Sequence, residues 1–202
     1  MSDGFKNFYK NKFTWFFEHI LFAGIPVHFA VVEFASRPSL HYLLLALVAL
    51  YTLCIALLLF KNKLSALGLG LNNTLKSTKA ILPSTIVLGL LVFFGKHSGI
   101  IAPAYFHGMS TVLLYAFISV PLQELVFRSL CWWRCSISWK NNWFIILFTS
   151  TNFAFYHIFL GGWQLIIGVF LLNLYWSYYY QKQHNIFSTA ISHALIGIIY
   201  FL

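Results

Sequence analysis

The chain has 202 residues, of which 60% are hydrophobic, 20% aromatic and only 8% charged, with a mean hydropathy of +0.78. So apolar a composition excludes a soluble globular domain of this size and defines a polytopic membrane protein. Lys and Arg outnumber Asp and Glu by 13 to 4, but the basic residues lie between apolar runs, so the excess encodes membrane topology and not a nucleic-acid surface.

Met1 to Phe13 is polar and basic, and Thr14 to Ala35 is a first span, too long for a signal-peptide core. Within it Glu18, His19 and Glu33 fall at the interfaces and His28 reads as a helix-packing contact. Leu40 to Phe60 is an uncharged second span. Lys61 to Lys79 carries Leu64, Leu67, Leu69, Leu71 and Leu75 as one partly apolar stripe, which predicts a segment lying on the membrane surface. Ala80 to Gly95 is a short third span, and Lys96 to Gly108 a turn-rich loop.

A fourth span runs from Met109 to about Trp132, bent by Pro121. Asn142 to Leu160, Trp163 to Tyr180 and Ile186 to Leu202 complete the set, the sixth ending in an aromatic belt of Tyr175, Trp176, Tyr178, Tyr179 and Tyr180. The fold class is therefore all-α: a polytopic membrane bundle of about seven helices, between six and eight, with no extramembrane domain. Residues 1–108 form N-terminal membrane helices and 109–202 the core that carries the polar residues. With the N-terminus in the cytoplasm, ten Lys and Arg fall in the inner segments, against Arg37 and Lys96 in the outer ones. Cys54, Cys131 and Cys135 offer neither a disulfide framework nor a CxxC metal pair and read as apolar filler.

Glu124 is the only carboxylate side chain after Glu33, and it sits inside the fourth span with Arg128 four residues on. Residues at i and i+4 share a helix face with Cβ atoms roughly 5–6 Å apart, so the two can pair within the membrane. Ionisable residues at that depth are functional-site candidates by default. Gln123 is turned about 100° away from Glu124. Two later spans each bring one histidine, His157 and His193. Counted at about 1.5 Å per residue from their cytoplasmic ends, Glu124, His157 and His193 lie roughly 15, 21 and 11 Å deep, which allows all three to meet. A lone Glu–Arg pair or a lone membrane histidine is more often structural; three ionisable groups at compatible depth make a site. Asn152, Asn173 and Gln164 read as amides that bridge helices.

Gln123-Glu124-Leu-Val-Phe-Arg128, Phe153-Ala-Phe-Tyr-His157 and His193-Ala-Leu-Ile-Gly197 together resemble the motifs of the CAAX-protease and bacteriocin-processing (CPBP, Abi) family of glutamate-dependent intramembrane proteases. The resemblance covers 109–202. It implies an integral multi-pass protein of a bacterial plasma membrane that hydrolyses a peptide bond in a membrane-associated, CAAX-type or peptide-precursor substrate, with no cofactor. It also implies that Glu124 and His157 activate water and His193 donates to the oxyanion, with Arg128, Gln123 and Phe153 in support. Two positions depart from the family's pattern. Gln123 stands where the family has the Glu that activates water, and glutamine cannot serve as a general base; Gly197 stands where the family has an Asn that helps hold the oxyanion.

Three other readings stay open on the residues. Glu124, His157 and His193 could ligate a catalytic zinc, although no HExxH-type spacing accompanies them. Gln123 and Gly197 also suit a family member without activity that acts as a bacteriocin immunity or partner-binding membrane protein. Intramembrane Glu, Arg and His can form a proton relay, but the chain lacks the repeat and paired broken helices of a secondary transporter.

Overall fold

A computed structural model describes residues 64–101, 109–157 and 162–201, together with isolated positions at 11, 46, 47, 50, 53, 54 and 57. The expected spans at 14–35 and 40–60 thus lie outside the described residues, apart from those isolated positions of the second, and so do Glu18, His19, His28 and Glu33. Among the described residues the chain is helical, with no strand.

Helix α1 runs Thr74–His97 and is long and apolar enough to cross a membrane. Its buried residues, Ser77, Ile81, Thr85 and Gly89, recur every four positions and form one stripe. Small residues at that spacing let two backbones approach closely: a Cβ on Gly89 would stand 2.8 Å from the Ile199 side chain. On the other side Ile86, Val87, Leu90, Leu91, Phe93 and Phe94 are exposed, a surface suited to lipid and not to water.

Helix α2 (109–138) is continuous but not uniform. Two widened π-helical turns, Tyr115–Ser119 and Leu125–Leu130, flank the α-helical Val120–Glu124. Pro121 lacks a backbone N–H and crowds the preceding turn, and a π turn there relieves both problems without breaking the helix. The expected bend at Pro121 is therefore a change in helical winding.

Helix α3 (Asn142–Tyr156) starts where the Asn141 side chain accepts hydrogen bonds from the backbone N–H groups of Trp143 and Phe144, at 3.0 and 3.3 Å. Helix α4 (Trp163–Gln183) ends at His184, whose φ of 48° is left-handed and stops the helix. Helix α5 (Ile186–Phe201) is capped by Asn185, whose Oδ1 accepts from Ser188 N at 2.9 Å. Helix α3 packs along α4, α1 packs along α5, and α5 also lies against α2.

The stretch expected to lie on the membrane surface divides in two. Its C-terminal part is the first turn of α1, while Leu64–Leu67 forms a 3-10 turn that enters the bundle. Leu64, Leu71 and Leu75 are exposed, but Leu67 is fully buried against Val126, Phe127, Leu130 and Phe153. The Leu67 carbonyl accepts hydrogen bonds from Ser129 Oγ and from Tyr180 Oη. Asn185 Nδ2 donates to the Gly70 carbonyl at 2.9 Å, His184 reaches the Ala66 carbonyl, and Ile186 N donates to Gly68 O. Gly68 is needed twice over: its φ is +72°, and a Cβ there would fall 2.6 Å from the Tyr180 ring. Backbone polar groups buried in a loop must find partners, and here α2, α4 and the α4–α5 turn supply them.

A buried Glu–Arg–His cluster as the candidate site

Glu124 and Arg128 are both fully buried, one turn apart on α2, and Arg128 Nη1 donates to Glu124 Oε1 at 2.6 Å. From α5, His193 Nδ1 donates to the same oxygen at 2.7 Å. One carboxylate oxygen therefore accepts from two donors, while Oε2 is buried without a hydrogen-bond partner among the described residues. An ionised carboxylate with a spare acceptor is costly to enclose, so the free oxygen marks the point where another polar group would be held.

Aromatic rings close around the ion pair. The Arg128 guanidinium carbon lies 5.0 Å from the Phe153 ring centroid and 5.2 Å from that of Trp176, so α3 and α4 each press a ring on it. Trp176 also lies 4.3 Å, centroid to centroid, from the His193 ring. Its indole N–H donates to Ser192 Oγ at 2.8 Å; Ser192 in turn lies 2.7 Å from Thr85 Oγ1, which donates to the Ile81 carbonyl. Helix α1 is thereby tied to the residue beside His193.

His157 stands at the C-terminal end of α3, one residue past the helix, with Nδ1 2.8 Å from the Phe153 carbonyl. A carbonyl only accepts, so the proton is on Nδ1 and a neutral ring keeps its lone pair on Nε2. The Phe153 ring lies 4.7 Å from the His157 ring and 5.6 Å from that of His193, so it stands beside both imidazoles. Gln123 Nε2 donates to Ser119 Oγ at 2.8 Å, and its Oε1 is buried without a partner among the described residues. Asn173 bridges α4 to α3 through Ser150, at 3.2 Å.

Glu124, Arg128, Phe153 and His193 are thus brought into one cluster, and the Phe153 ring also lies beside His157. Trp176 is the residue that sequence reasoning placed elsewhere. It belongs to the expected aromatic belt, yet it is 2% exposed and Tyr180 1%. With Asn173 and Ser177 they form the buried stripe of α4, and that 3.6-residue spacing was the available signal. Among the described residues no group of three or more His, Cys, Asp or Glu side chains is arranged to hold a metal ion.

A carboxylate, a guanidinium and an imidazole enclosed by aromatic rings inside long apolar helices define a membrane-embedded polar site. Residues 105–199 match the family model described as type II CAAX prenyl endopeptidase Rce1-like. The match supports the resemblance of its three motifs to the CAAX-protease group, a family of integral membrane proteases. No curated protein and no solved structure gives a significant match to the chain.

Proposed function

We propose that the chain is an intramembrane endopeptidase of a bacterial plasma membrane, cutting a peptide bond in a membrane-associated CAAX-type or peptide-precursor substrate. The observation that carries this reading is the division of labour on Glu124: Oε1 is held by Arg128 and His193, and Oε2 has no partner among the described residues. Oε2 accepts a proton from water while His157 Nε2 orients that water, and the resulting hydroxide adds to the carbonyl carbon. The tetrahedral intermediate collapses with cleavage of the C–N bond, and the proton on Glu124 passes to the departing amine. The products are a carboxylate and an amine. Arg128 pairs with the carboxylate and aims it, and the low dielectric strengthens each of these interactions. Water activation in this scheme uses no metal.

A second reading has its own support. Gln123, which stands where the family's pattern has a carboxylate, binds Ser119 through its amide and contributes no base. On that reading the protein binds and shields a partner, as a bacteriocin immunity protein would, without cutting it.

The two readings separate in membranes from cells expressing either the wild type or Glu124→Gln at equal abundance, with new protein termini catalogued by mass spectrometry. Termini that appear only with the wild type support hydrolysis. Identical sets from folded, abundant proteins leave the binding reading.

A further inference from the structure

Arg128 meets Glu124 through one nitrogen only. Nη1 donates to Glu124 Oε1 at 2.6 Å, while Nε and Nη2 are buried without a hydrogen-bond partner among the described residues. A guanidinium is planar, presents its N–H groups in a fixed fork and keeps its charge in proteins. The Phe153 and Trp176 rings, with centroids 5.0 and 5.2 Å from Cζ, attract that charge but offer no oxygen to accept from it. Two donor nitrogens of a buried cation left unbonded cost free energy that a bound acceptor would recover.

The charge of the cluster says what that acceptor is. Glu124 and Arg128 cancel one another, so a carboxylate on the free edge would leave a net charge buried in the membrane, and a neutral carbonyl would not. Hydrolysis then shifts the balance the right way. When Glu124 Oε2 takes a proton from water, the negative charge leaves the carboxylate and appears on the carbonyl oxygen, and Arg128 exchanges one anionic partner for another. The free edge therefore bonds the tetrahedral intermediate more strongly than the substrate, which is the condition for catalysis. Glu124 and Arg128 are equally buried and in direct contact, so an opening that admits a peptide to the base brings it to this edge as well.

We propose that Arg128 is a catalytic residue with two working edges: Nη1 holds Glu124, and Nε and Nη2 donate to the oxygen of the carbonyl under attack. This rests on the hydrolytic reading above. The N–H groups bond the oxyanion without giving up a proton. The proton on Glu124 still goes to the departing amine, and the carbonyl re-forms as the C–N bond breaks. Gly197 stands where the family's motif has an Asn that helps hold the oxyanion; the Arg128 edge makes that contact from α2 and not from α5.

The test uses a peptide spanning one Glu124-dependent cleavage found by the comparison of termini, made with an ordinary amide or a thioamide at the scissile bond. Arg128→Lys keeps the charge and one bond to Glu124, so it should stay folded in detergent. It should cut the amide about 100-fold more slowly, the effect of losing one oxyanion donor, with kcat falling and KM little changed. Sulfur is a weak acceptor, so the wild type should prefer the amide, and that preference should shrink in Arg128→Lys because the lost contact is to oxygen. A residue that only positioned Glu124 would slow both peptides alike. An undiminished preference in folded Arg128→Lys overturns the proposal and leaves hydrolysis intact. The wild type gives a second reading that needs no variant to fold. The chain has three arginines, Arg37, Arg128 and Arg134, few enough to assign after isotope labelling, and a phosphonate analogue of the same peptide should move the Arg128 Nε and Nη2 proton resonances. An analogue that binds without moving them also overturns the donor role. Wild type and Glu124→Gln giving the same termini would remove the hydrolytic reading, and this proposal with it.

Discussion

Glu124 and His193 lie 69 residues apart in sequence and meet at 2.7 Å through one carboxylate oxygen and one imidazole nitrogen. Arg128 holds the same oxygen, so the carboxylate joins α2 to α5 and ends the register of both. Removing one member of a buried ion pair strands its partner, which typically costs about 3–5 kcal/mol. Glu124→Gln should therefore lower the melting temperature in detergent, and Glu124→Gln/Arg128→Met should restore much of the loss because no unpaired guanidinium remains. Neither variant should yield Glu124-dependent termini. A double variant no more stable than the single one would show that the pair is not what the fold depends on.

Gln123 offers a gain of function. Its amide already bonds Ser119, and a serine hydroxyl can reverse its role and donate to a carboxylate. Gln123→Glu should fold, place a second carboxylate next to Glu124 and speed the appearance of termini, by about 100-fold if the new group acts as a full general base. An unchanged or slower rate in a folded variant would mean that the glutamine is suited to this site as it stands.

Gly68 tests the loop that enters the bundle. Alanine there must adopt the left-handed conformation, at a cost of about 1–2 kcal/mol, and its Cβ would strike the Tyr180 ring. Gly68→Ala should be destabilised by more than that backbone cost, and Gly68→Ala/Tyr180→Phe should stay destabilised because the ring carbons still clash. Thermal unfolding in detergent reads both.

The outward face of α1 makes a prediction about surroundings. A spin label placed at Leu90→Cys or Val87→Cys, both exposed, should be relaxed by lipid-soluble oxygen more than by an aqueous nickel chelate in reconstituted vesicles. An arginine at Leu90 should impair insertion, since a charge at the centre of a spanning helix costs about 2.5–3.5 kcal/mol. Preferential relaxation by the chelate would place that face in water.

The helices after Ala80 were legible because long apolar runs broken by charge and glycine leave little choice of boundary, and Glu124 with Arg128 because i and i+4 must share a face. The depth count allowed Glu124 and His193 to meet, and they do, at 2.7 Å. His157 was placed at a compatible depth, but helix rise says nothing about direction around the axis, and the Phe153 ring turns out to stand beside both imidazoles. Leu67 was misjudged for a different reason. A stripe of leucines has the same pattern whether it meets lipid or protein, and its burial depends on Ser129 and Tyr180, 62 and 113 residues away. Trp176 was hidden among neighbouring tyrosines whose composition suits an interface.

The two widened turns of α2 mean that this helix carries more residues than its length in regular α-helical winding would hold. Deleting one residue within Tyr115–Ser119 could leave a more regular helix, and local stability would gain. The same deletion would rotate everything before it by about 100° relative to Glu124, carrying the Tyr115 ring off Gly197, against which it packs. In this helix the most comfortable backbone and the assembled site are competing solutions, and the chain has kept the irregular one.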